Sequence, residues 1–207
     1  MGNVYTLSRI RQGRTNYRKR EKLLVGRTDF VSVIVSSQNV CAQVLAPQKL
    51  GDKVLASVHS HDLLSFGWKG SLKNLPACYL VGLLLGKMCE KKGLKHVCLY
   101  TGNRPFTTRI AAFLKGLTEG GVTLPHSSEV LPDDQRISGT HIADFVNSME
   151  GVPDKYRHQF SALMSKGLNP KDYPEHFSAV KNAILESNLH KLSKMRQNLD
   201  VDERGIS

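Results

Sequence analysis

The sequence predicts an α/β fold in which helices cover a mixed β-sheet. Three short runs rich in β-branched residues come first, at residues 29–35, 40–45 and 53–58, and no helical pattern separates them. These runs predict a three-stranded meander. A helical pattern from Asn74, a strand-like run and a second helical pattern follow. A right-handed crossover would place the fourth strand parallel to a meander strand, which makes the predicted sheet mixed.

Turn residues separate the predicted strands of the meander. Residues 36–39, Ser-Ser-Gln-Asn, connect the first two strands. Pro47 and the Gly-Asp pair at residues 51–52 mark the second turn. Because these residue types favour tight turns, the strands are expected to be sequential neighbours in the sheet.

The first helix is predicted by apolar residues and glycines that recur at three- and four-residue steps over residues 75–89. Two lysines and a glycine at residues 91–93 supply a basic last turn and a terminating glycine. Gly82 and Gly86 lie one turn apart, and we expect them to let this helix approach the sheet closely. They also imitate a phosphate-binding loop. That spacing is one residue too short, and Met88 stands where Ser or Thr is required, so we reject a nucleotide site.

The alternation of strand and helix continues beyond this helix. Residues 95–100 predict a buried strand, and a turn that ends at Pro105 leads into the second helix. Glycines at residues 120–121 end that helix. The following stretch, to about residue 140, is rich in Pro, Ser and Asp and predicts a loop, which could include a short edge strand near Val122 and Thr123.

We divide the chain into a basic arm at residues 1–24, an α/β core domain at 25–147 and a helical C-terminal extension at 148–207. Helical patterns occupy residues 140–149, 154–166 and 174–199. They carry few large apolar residues per turn and nearly balanced charge. We therefore expect the extension to pack on a partner or on the core, and not to form a second domain.

Charge is the first indication of function. The chain has 29 Lys and Arg against 18 Asp and Glu, a net charge of +11 and a pI near 9.6. The arm carries seven of these cations and one acid, Glu21. A polyanion is therefore the expected partner, and either nucleic acid or an anionic membrane would be attracted by such a field.

A membrane partner is disfavoured by the rest of the sequence. No apolar run approaches the roughly 20 residues of a membrane span, and the arm shows no amphipathic pattern. The four cysteines form no C-x-x-C pair, and three of them lie in apolar runs. With no signal-peptide pattern, these features predict a reducing, cytoplasmic location and no membrane partner.

His59, His61 and Asp62 form the most enzyme-like cluster. They could supply part of a metal site or of a catalytic triad. A zinc site needs about four ligands, and neither a third ligand nor a G-x-S-x-G motif stands nearby. We interpret the cluster as polar residues of a loop or a strand end.

The order of the predicted elements also suggests the ribonuclease-H-like fold class. Nucleases of that class hold metal ions on several carboxylates of the central strands. Here the first strand has only Asp29 at its start, and the fourth ends in Tyr100 and Thr101. We therefore predict no enzyme, no cofactor and no metal.

Two segments combine cations with an aromatic ring. Residues 13–20, Gly-Arg-Thr-Asn-Tyr-Arg-Lys-Arg, can clamp phosphates and stack Tyr17 on a base or ribose. Residues 66–70, Phe-Gly-Trp-Lys-Gly, repeat the combination in a predicted loop. Trp68 is either an RNA contact or a packing anchor, and we favour the contact. Because the arm has no apolar periodicity, we expect it to be disordered alone and ordered on RNA.

Four blocks of the sequence carry a family resemblance. They lie at residues 13–20, 67–82, 124–143 (Leu-Pro-His-Ser-Ser, Leu-Pro-Asp-Asp and Gly-Thr-His-Ile-Ala) and 174–177. In this order they resemble the universal large-subunit ribosomal protein eighteen family in its archaeal and eukaryotic form. Tyr100 stands where the family often has Asp, and the chain lacks the long basic C-terminus of eukaryotic members, so it looks archaeal or divergent.

The resemblance implies a structural ribosomal protein without catalytic activity. It implies a ribonuclease-H-like core of the translational-machinery type, a basic arm along ribosomal RNA and a place in the central protuberance. The implied partners are 5S rRNA, large-subunit rRNA and neighbouring ribosomal proteins, with no small-molecule substrate. The residues predicted to bind RNA are Arg9, Arg11, Arg14, Tyr17, Arg18, Lys19, Arg20, Lys22, Trp68, Lys69 and Lys73.

Overall fold

The computed structural model describes residues 7–49, 51–149 and 153–187. Within these ranges the α-helices are α1 (Ser8–Arg11), α2 (Tyr17–Gly26), α3 (Leu75–Lys91), α4 (Thr108–Glu119), α5 (Asp134–Ser138), α6 (Thr140–Ser148), α7 (Pro153–Met164) and α8 (Tyr173–Glu186). Short 3-10 helices lie at Ser60–Phe66, Ser128–Val130 and Pro170–Asp172. The end of the helical pattern predicted at 174–199 falls outside the described residues. No helix within them is long and apolar enough to cross a membrane.

One mixed sheet has the strand order β3-β2-β1-β4. The strands are β1 (Phe30–Val35), β2 (Val40–Ala46), β3 (Lys53–His59) and β4 (Cys98–Leu99). The first three are antiparallel neighbours, and β4 pairs in parallel with β1. The predicted mixed α/β fold is confirmed.

The fourth strand is shorter than the predicted run of residues 95–100. Only two of its residues pair with β1. Just before them, Thr123 N donates a hydrogen bond to Lys95 O at 2.7 Å, and Val97 N donates to Thr123 O at 3.3 Å. Of residues 95–100 only Val97 is buried, so the strand is also less buried than predicted. The short edge strand predicted near residues 122–123 is a single bridge between His96 and Thr123.

Alternating burial explains the meander. Val31 and Val33 of β1 are buried, and so are Val40, Ala42 and Val44 of β2. Because side chains alternate across a strand, these residues lie on the face that helices α3 and α4 cover. The burial of one face fixes the register of strand pairing, because a shift of one strand by one residue would turn its buried side chains toward solvent.

The glycines of α3 approach α4 and not the sheet, which corrects our expectation. A Cβ on Gly82 would collide with Phe113 O of α4, and a Cβ on Gly116 would collide with Tyr79 O of α3. A Cβ on Gly86 would lie 2.7 Å from Gly120 Cα. The two backbones therefore touch through reciprocal glycines. The spacing of the glycines in α3 showed that this helix has a strip without side chains. It could not show which element packs on that strip.

Replacing Gly116 by Ala is expected to lower the free energy of unfolding. The added methyl would push against the backbone of α3, and such overpacking costs about 1–3 kcal/mol, more than the gain in helix propensity of roughly 0.5–1 kcal/mol. Urea denaturation measures the change. The matched control is Gly26→Ala in α2, where the nearest atom to the new Cβ is 3.6 Å away. Equal stability of the two variants would contradict the close contact.

The last helix of the described chain completes the hydrophobic core. Tyr173, Phe177, Val180 and Ile184 of α8 are buried in the same cluster as the sheet and α3. This part of the extension therefore packs on the core, one of the two arrangements that we expected. The boundary drawn at residue 148 remains a prediction.

Candidate nucleic-acid interface

The described part of the basic arm contains two helices, α1 and α2. Neither has a buried residue. Asn16 caps α2, because its Oδ1 accepts a hydrogen bond from Lys19 N at 3.1 Å. Arg27 ends α2 in the left-handed conformation, with φ of 48°. The structure gives this part of the arm two helices and polar contacts with the core. Its disorder in the absence of RNA stays a prediction.

Arg20 fixes α2 to the turn before β3. Its Nη1 and Nη2 donate to the two carboxylate oxygens of Asp52 at 2.6 and 2.8 Å, and Nη2 also donates to Gln48 O at 3.2 Å. The hydrogen bond with Asp52 raises the pKa of Arg20. The structure thus gives Arg20 a positioning role, and the RNA contact predicted for it stays a prediction.

A second attachment joins the arm to the turn between β4 and α4. Asn103 Nδ2 donates to Gly13 O at 2.7 Å, and Lys19 Nζ donates to Gly102 O at 3.1 Å. Arg104, next in sequence, is exposed and extends the positive charge of the arm. Sequence reasoning missed Arg104, because nothing local shows that this turn lies beside residue 13.

The remaining cations of the arm face solvent. Arg9 Nε donates to Thr15 Oγ1 at 2.9 Å, within the arm itself. Four other exposed side chains have no hydrogen bond or ion pair with any residue that the structure describes. They are Arg11, Arg14, Arg18 and Lys22. Tyr17, 36% exposed, stands among them at the start of α2. Unpaired cations around a half-exposed ring suit a phosphate backbone with an accessible base.

Removing the carboxylate partner of Arg20 should loosen the arm. In the free protein we expect Asp52→Asn to speed amide exchange in α2 about tenfold, which corresponds to about 1.4 kcal/mol, because a charge-assisted hydrogen-bond pair is lost. Exchange in α3 is the internal reference. The matched control is Asp144→Asn in α6. If α2 exchanges at the rate of an unstructured peptide before any mutation, the arm is disordered alone, as the sequence suggested.

Trp68 is buried in the loop that precedes α3, with 1% of its surface exposed. Its ring stacks on His176 at a centroid distance of 5.2 Å and meets the edge of Tyr173 at 5.7 Å. Its Nε1 donates a hydrogen bond to Ser71 O at 3.2 Å. A ring without an accessible face cannot stack on a base, so the expectation that Trp68 contacts RNA is corrected. Trp68 is the packing anchor between this loop and α8.

The two lysines of the same loop differ in their contacts. Lys69 N donates to His176 Nε2 at 3.1 Å, and Lys69 Nζ donates to Gly167 O at 3.4 Å. Burial and the nearby Lys69 charge lower the pKa of His176, which favours the neutral ring that accepts this bond. Lys73 is exposed, and its ammonium has no partner among the described residues. Of the two, Lys73 offers the freer charge to a ligand.

His59, His61 and Asp62 form the cap of the 3-10 helix Ser60–Phe66. His59 Nδ1 accepts a bond from His61 N at 3.2 Å, and Asp62 Oδ2 accepts from His59 N at 2.8 Å. This reciprocal capping agrees with the interpretation as polar residues at a strand end. In the described ranges, no group of three or more His, Cys, Asp or Glu side chains could hold a metal ion.

Comparisons with known proteins agree with the family resemblance. The model of a family described as ribosomal large subunit proteins 60S L5 and 50S L18 matches residues 5–107. The large ribosomal subunit protein uL18 of Methanococcus maripaludis is 40% identical over 179 residues, which cover 86% of this chain and 93% of that relative. The predictions of a ribosomal location and of no catalytic activity are thereby confirmed. The chain belongs to the uL18 family of large ribosomal subunit proteins, and it is a structural, non-enzymatic component of the ribosome.

Proposed function

We propose that this chain binds 5S rRNA and anchors it to large-subunit rRNA in the central protuberance. The observation that carries the proposal is the set of exposed cations of the arm that have no carboxylate partner in the described chain. They lie on α1, on α2 and in the segment between these helices: Arg11, Arg14, Arg18 and Lys22. Each can neutralise a phosphate and release a counterion, which is the main source of affinity for RNA.

The attachment of the arm supports this role. Asp52 holds Arg20 on one side, and the turn at residues 101–105 holds Gly13 and Lys19 on the other. A positively charged segment that is already oriented loses less conformational freedom on binding than a free tail does. Phosphate contacts made from a fixed helix also set the register of the RNA on the protein.

An anchor between two RNA molecules needs more than one contact surface. The arm attaches at Asp52, in the turn that follows the end of β2. The turn at residues 36–39 lies at the other end of β2, before the strand begins. Because β2 has seven residues at about 3.4 Å each, the two ends of the strand, and so the two turns, are roughly 20 Å apart. Lys73 lines a cavity together with Ser36 and Ser37 of the turn at residues 36–39, and it supplies a free cation outside the arm. Two separated basic surfaces are what a bridge between 5S and large-subunit rRNA requires.

Binding to purified RNA tests the proposal. We expect the full chain to bind 5S rRNA at least about tenfold more tightly than a folded control RNA of equal length, measured by mobility shift at fixed salt. The salt dependence of both affinities is recorded, because non-specific binding also rises at low salt. Equal affinities for the two RNAs at physiological salt would contradict recognition of 5S rRNA.

Tyr17→Ala separates stacking from charge. If Tyr17 stacks on a nucleotide, its loss should weaken 5S rRNA binding by about 1–3 kcal/mol while leaving the slope of log affinity against log salt unchanged, since stacking releases no counterion. Tyr17→Phe keeps the ring and should bind like the parent chain. Full affinity in the Ala variant would show that Tyr17 does not stack on the RNA.

A further inference from the structure

A basic groove opens at the end of the sheet that bears the β1–β2 turn. It consists of two adjoining cavities of about 710 and 570 Å³. Both are lined by Ser71, Lys73, Asn74, His141 and Ile142. The shared lining makes them one continuous groove between the start of α3 and helices α6 and α7. Each volume lies within the range of roughly 300–1,000 Å³ that is usual for small-ligand sites.

Among the residues that the structure describes, the lining of this groove carries positive charge only. Lys73 lies at the centre, Arg109 lines one cavity and Lys166 lines the other, and no described Asp or Glu lines either. The side chains of these three cations make no hydrogen bond or ion pair within residues 7–49, 51–149 and 153–187. His61 and His141 add imidazole rings to the walls. Unpaired cations around a concave surface favour an anionic ligand.

The larger cavity also has an apolar side. Phe145 of α6 is 45% exposed there, and its ring lies 6.3 Å from that of Phe160, which is nearly buried. Leu72, Ile142 and Leu163 complete this wall. An exposed aromatic ring beside free cations is the combination on which nucleic-acid bases stack while their phosphates are neutralised. An acidic peptide would use the cations but has no need for an aromatic platform.

The groove is preformed at its base. Asn74 Oδ1 accepts a bond from Ala77 N at 3.0 Å, and Asn74 Nδ2 donates to Tyr173 OH at 2.6 Å. Both ends of this side chain are therefore committed, and Asn74 acts as a fixed wall. It caps α3, whose 17 residues direct a partial positive charge toward the side on which Lys73 lies. The helix end adds to the cations but does not define the site.

We propose that this groove holds one unstacked nucleotide of the bound RNA, with its base against Phe145 and its phosphates between Lys73 and Arg109. The proposal rests on the proposed function, since it assigns a second surface to the same RNA-binding chain. The groove lies at the opposite end of β2 from the attachment of the arm at Asp52. A nucleotide that is unstacked from its neighbouring bases and bound in the groove would hold one RNA molecule in place while the arm binds another.

Cross-linking locates the nucleotide. The full chain is bound separately to 5S rRNA and to a large-subunit rRNA fragment, irradiated at short ultraviolet wavelength and digested, and the cross-linked peptides are identified by mass spectrometry. We expect a cross-link within residues 141–145 for one of these RNAs. Cross-links confined to the arm, from a complex that does form, overturn the groove while leaving the proposed function intact. Failure of the parent chain to bind either RNA instead removes the proposed function itself.

Two substitutions with matched controls measure the contribution of the groove. Phe145→Ala should weaken binding of the cross-linked RNA by about 5- to 100-fold without changing the salt slope, as expected for a lost stacking platform. Arg109→Ala should make the slope shallower by about 0.7–0.9, as expected for one lost phosphate contact. Phe106→Ala and Arg136→Ala remove an exposed ring and an exposed guanidinium outside the groove, and both should bind like the parent chain.

The outcomes are decisive even if one variant is unstable. Arg109 is exposed, so Arg109→Ala tests the site should Phe145→Ala fail to fold. The proposal is overturned if both groove variants bind RNA like their controls. It is also overturned if they bind RNA normally but lose a neighbouring ribosomal protein during subunit assembly, because the groove would then hold an acidic protein segment.

Discussion

Replacing Trp68 by Ala is expected to lower the free energy of unfolding by about 3–5 kcal/mol, the usual cost of removing a large buried ring. The ring is 1% exposed and packs on His176 and Tyr173, so its loss leaves a cavity between the loop before α3 and helix α8. The bond from its Nε1 to Ser71 O is lost as well. Against a typical stability of about 5–15 kcal/mol, such a loss can remove a third or more.

Chemical denaturation and RNA binding together test the role of Trp68. Trp68→Phe keeps an aromatic ring and should cost less than Trp68→Ala, although the bond to Ser71 O is lost in both. Leu64→Ala, in the neighbouring 3-10 helix, removes a half-exposed side chain and is the control for a surface change. If Trp68→Ala kept full stability and lost RNA affinity, the ring would be an RNA contact after all.

The joint replacement of Arg11, Arg14 and Arg18 by Ala is expected to give the largest loss of RNA affinity. Each phosphate contact contributes roughly 0.7–0.9 to the slope of log affinity against log salt, so the triple variant should lose about two to three units of slope. At 0.1 M salt this corresponds to roughly 100- to 1,000-fold weaker binding. Stability should hardly change, because α1 and α2 bury no residue and Arg14, between them, is exposed.

The position of the lost charge is as important as its amount. A control variant with Lys91, Lys95 and Arg136 replaced by Ala removes the same three positive charges from other exposed surfaces. Titration of 5S rRNA at four or more salt concentrations gives the slopes of both variants. A smaller change in the control supports specific phosphate contacts by the arm. Equal changes would mean that the RNA responds only to net charge.

Local patterns were sufficient for most of the fold. The meander follows from β-branched runs separated by turn residues, and α3, which Asn74 caps in the structure, follows from its periodicity. The parallel fourth strand follows from the handedness of crossovers. The length of β4 was overestimated, because a local run does not show how many of its residues meet a partner strand, and only Cys98 and Leu99 pair with β1.

The same distinction applies to the candidate interface. Composition identified the arm and the loop at residues 66–73, and the family matches confirm the resemblance that these segments carried. The contacts of single residues could not be predicted from the sequence. Trp68 is buried by α8, and Arg20 is paired with Asp52, and both contacts join residues that are distant in the sequence. The groove around Lys73 was not predicted. The β1–β2 turn, the starts of α3 and α4, and helix α6 line it, and these elements are far apart in the sequence.

The central claim is that this chain docks 5S rRNA onto the large subunit, and sedimentation tests it most directly. Large subunits stripped of both 5S rRNA and this protein would be incubated with 5S rRNA, with or without the full chain, and separated on a gradient. We predict that 5S rRNA migrates with the large subunit when the chain is present and remains near the top when it is absent. Equal incorporation of 5S rRNA in both samples, with the chain itself bound to the subunit, would contradict the account.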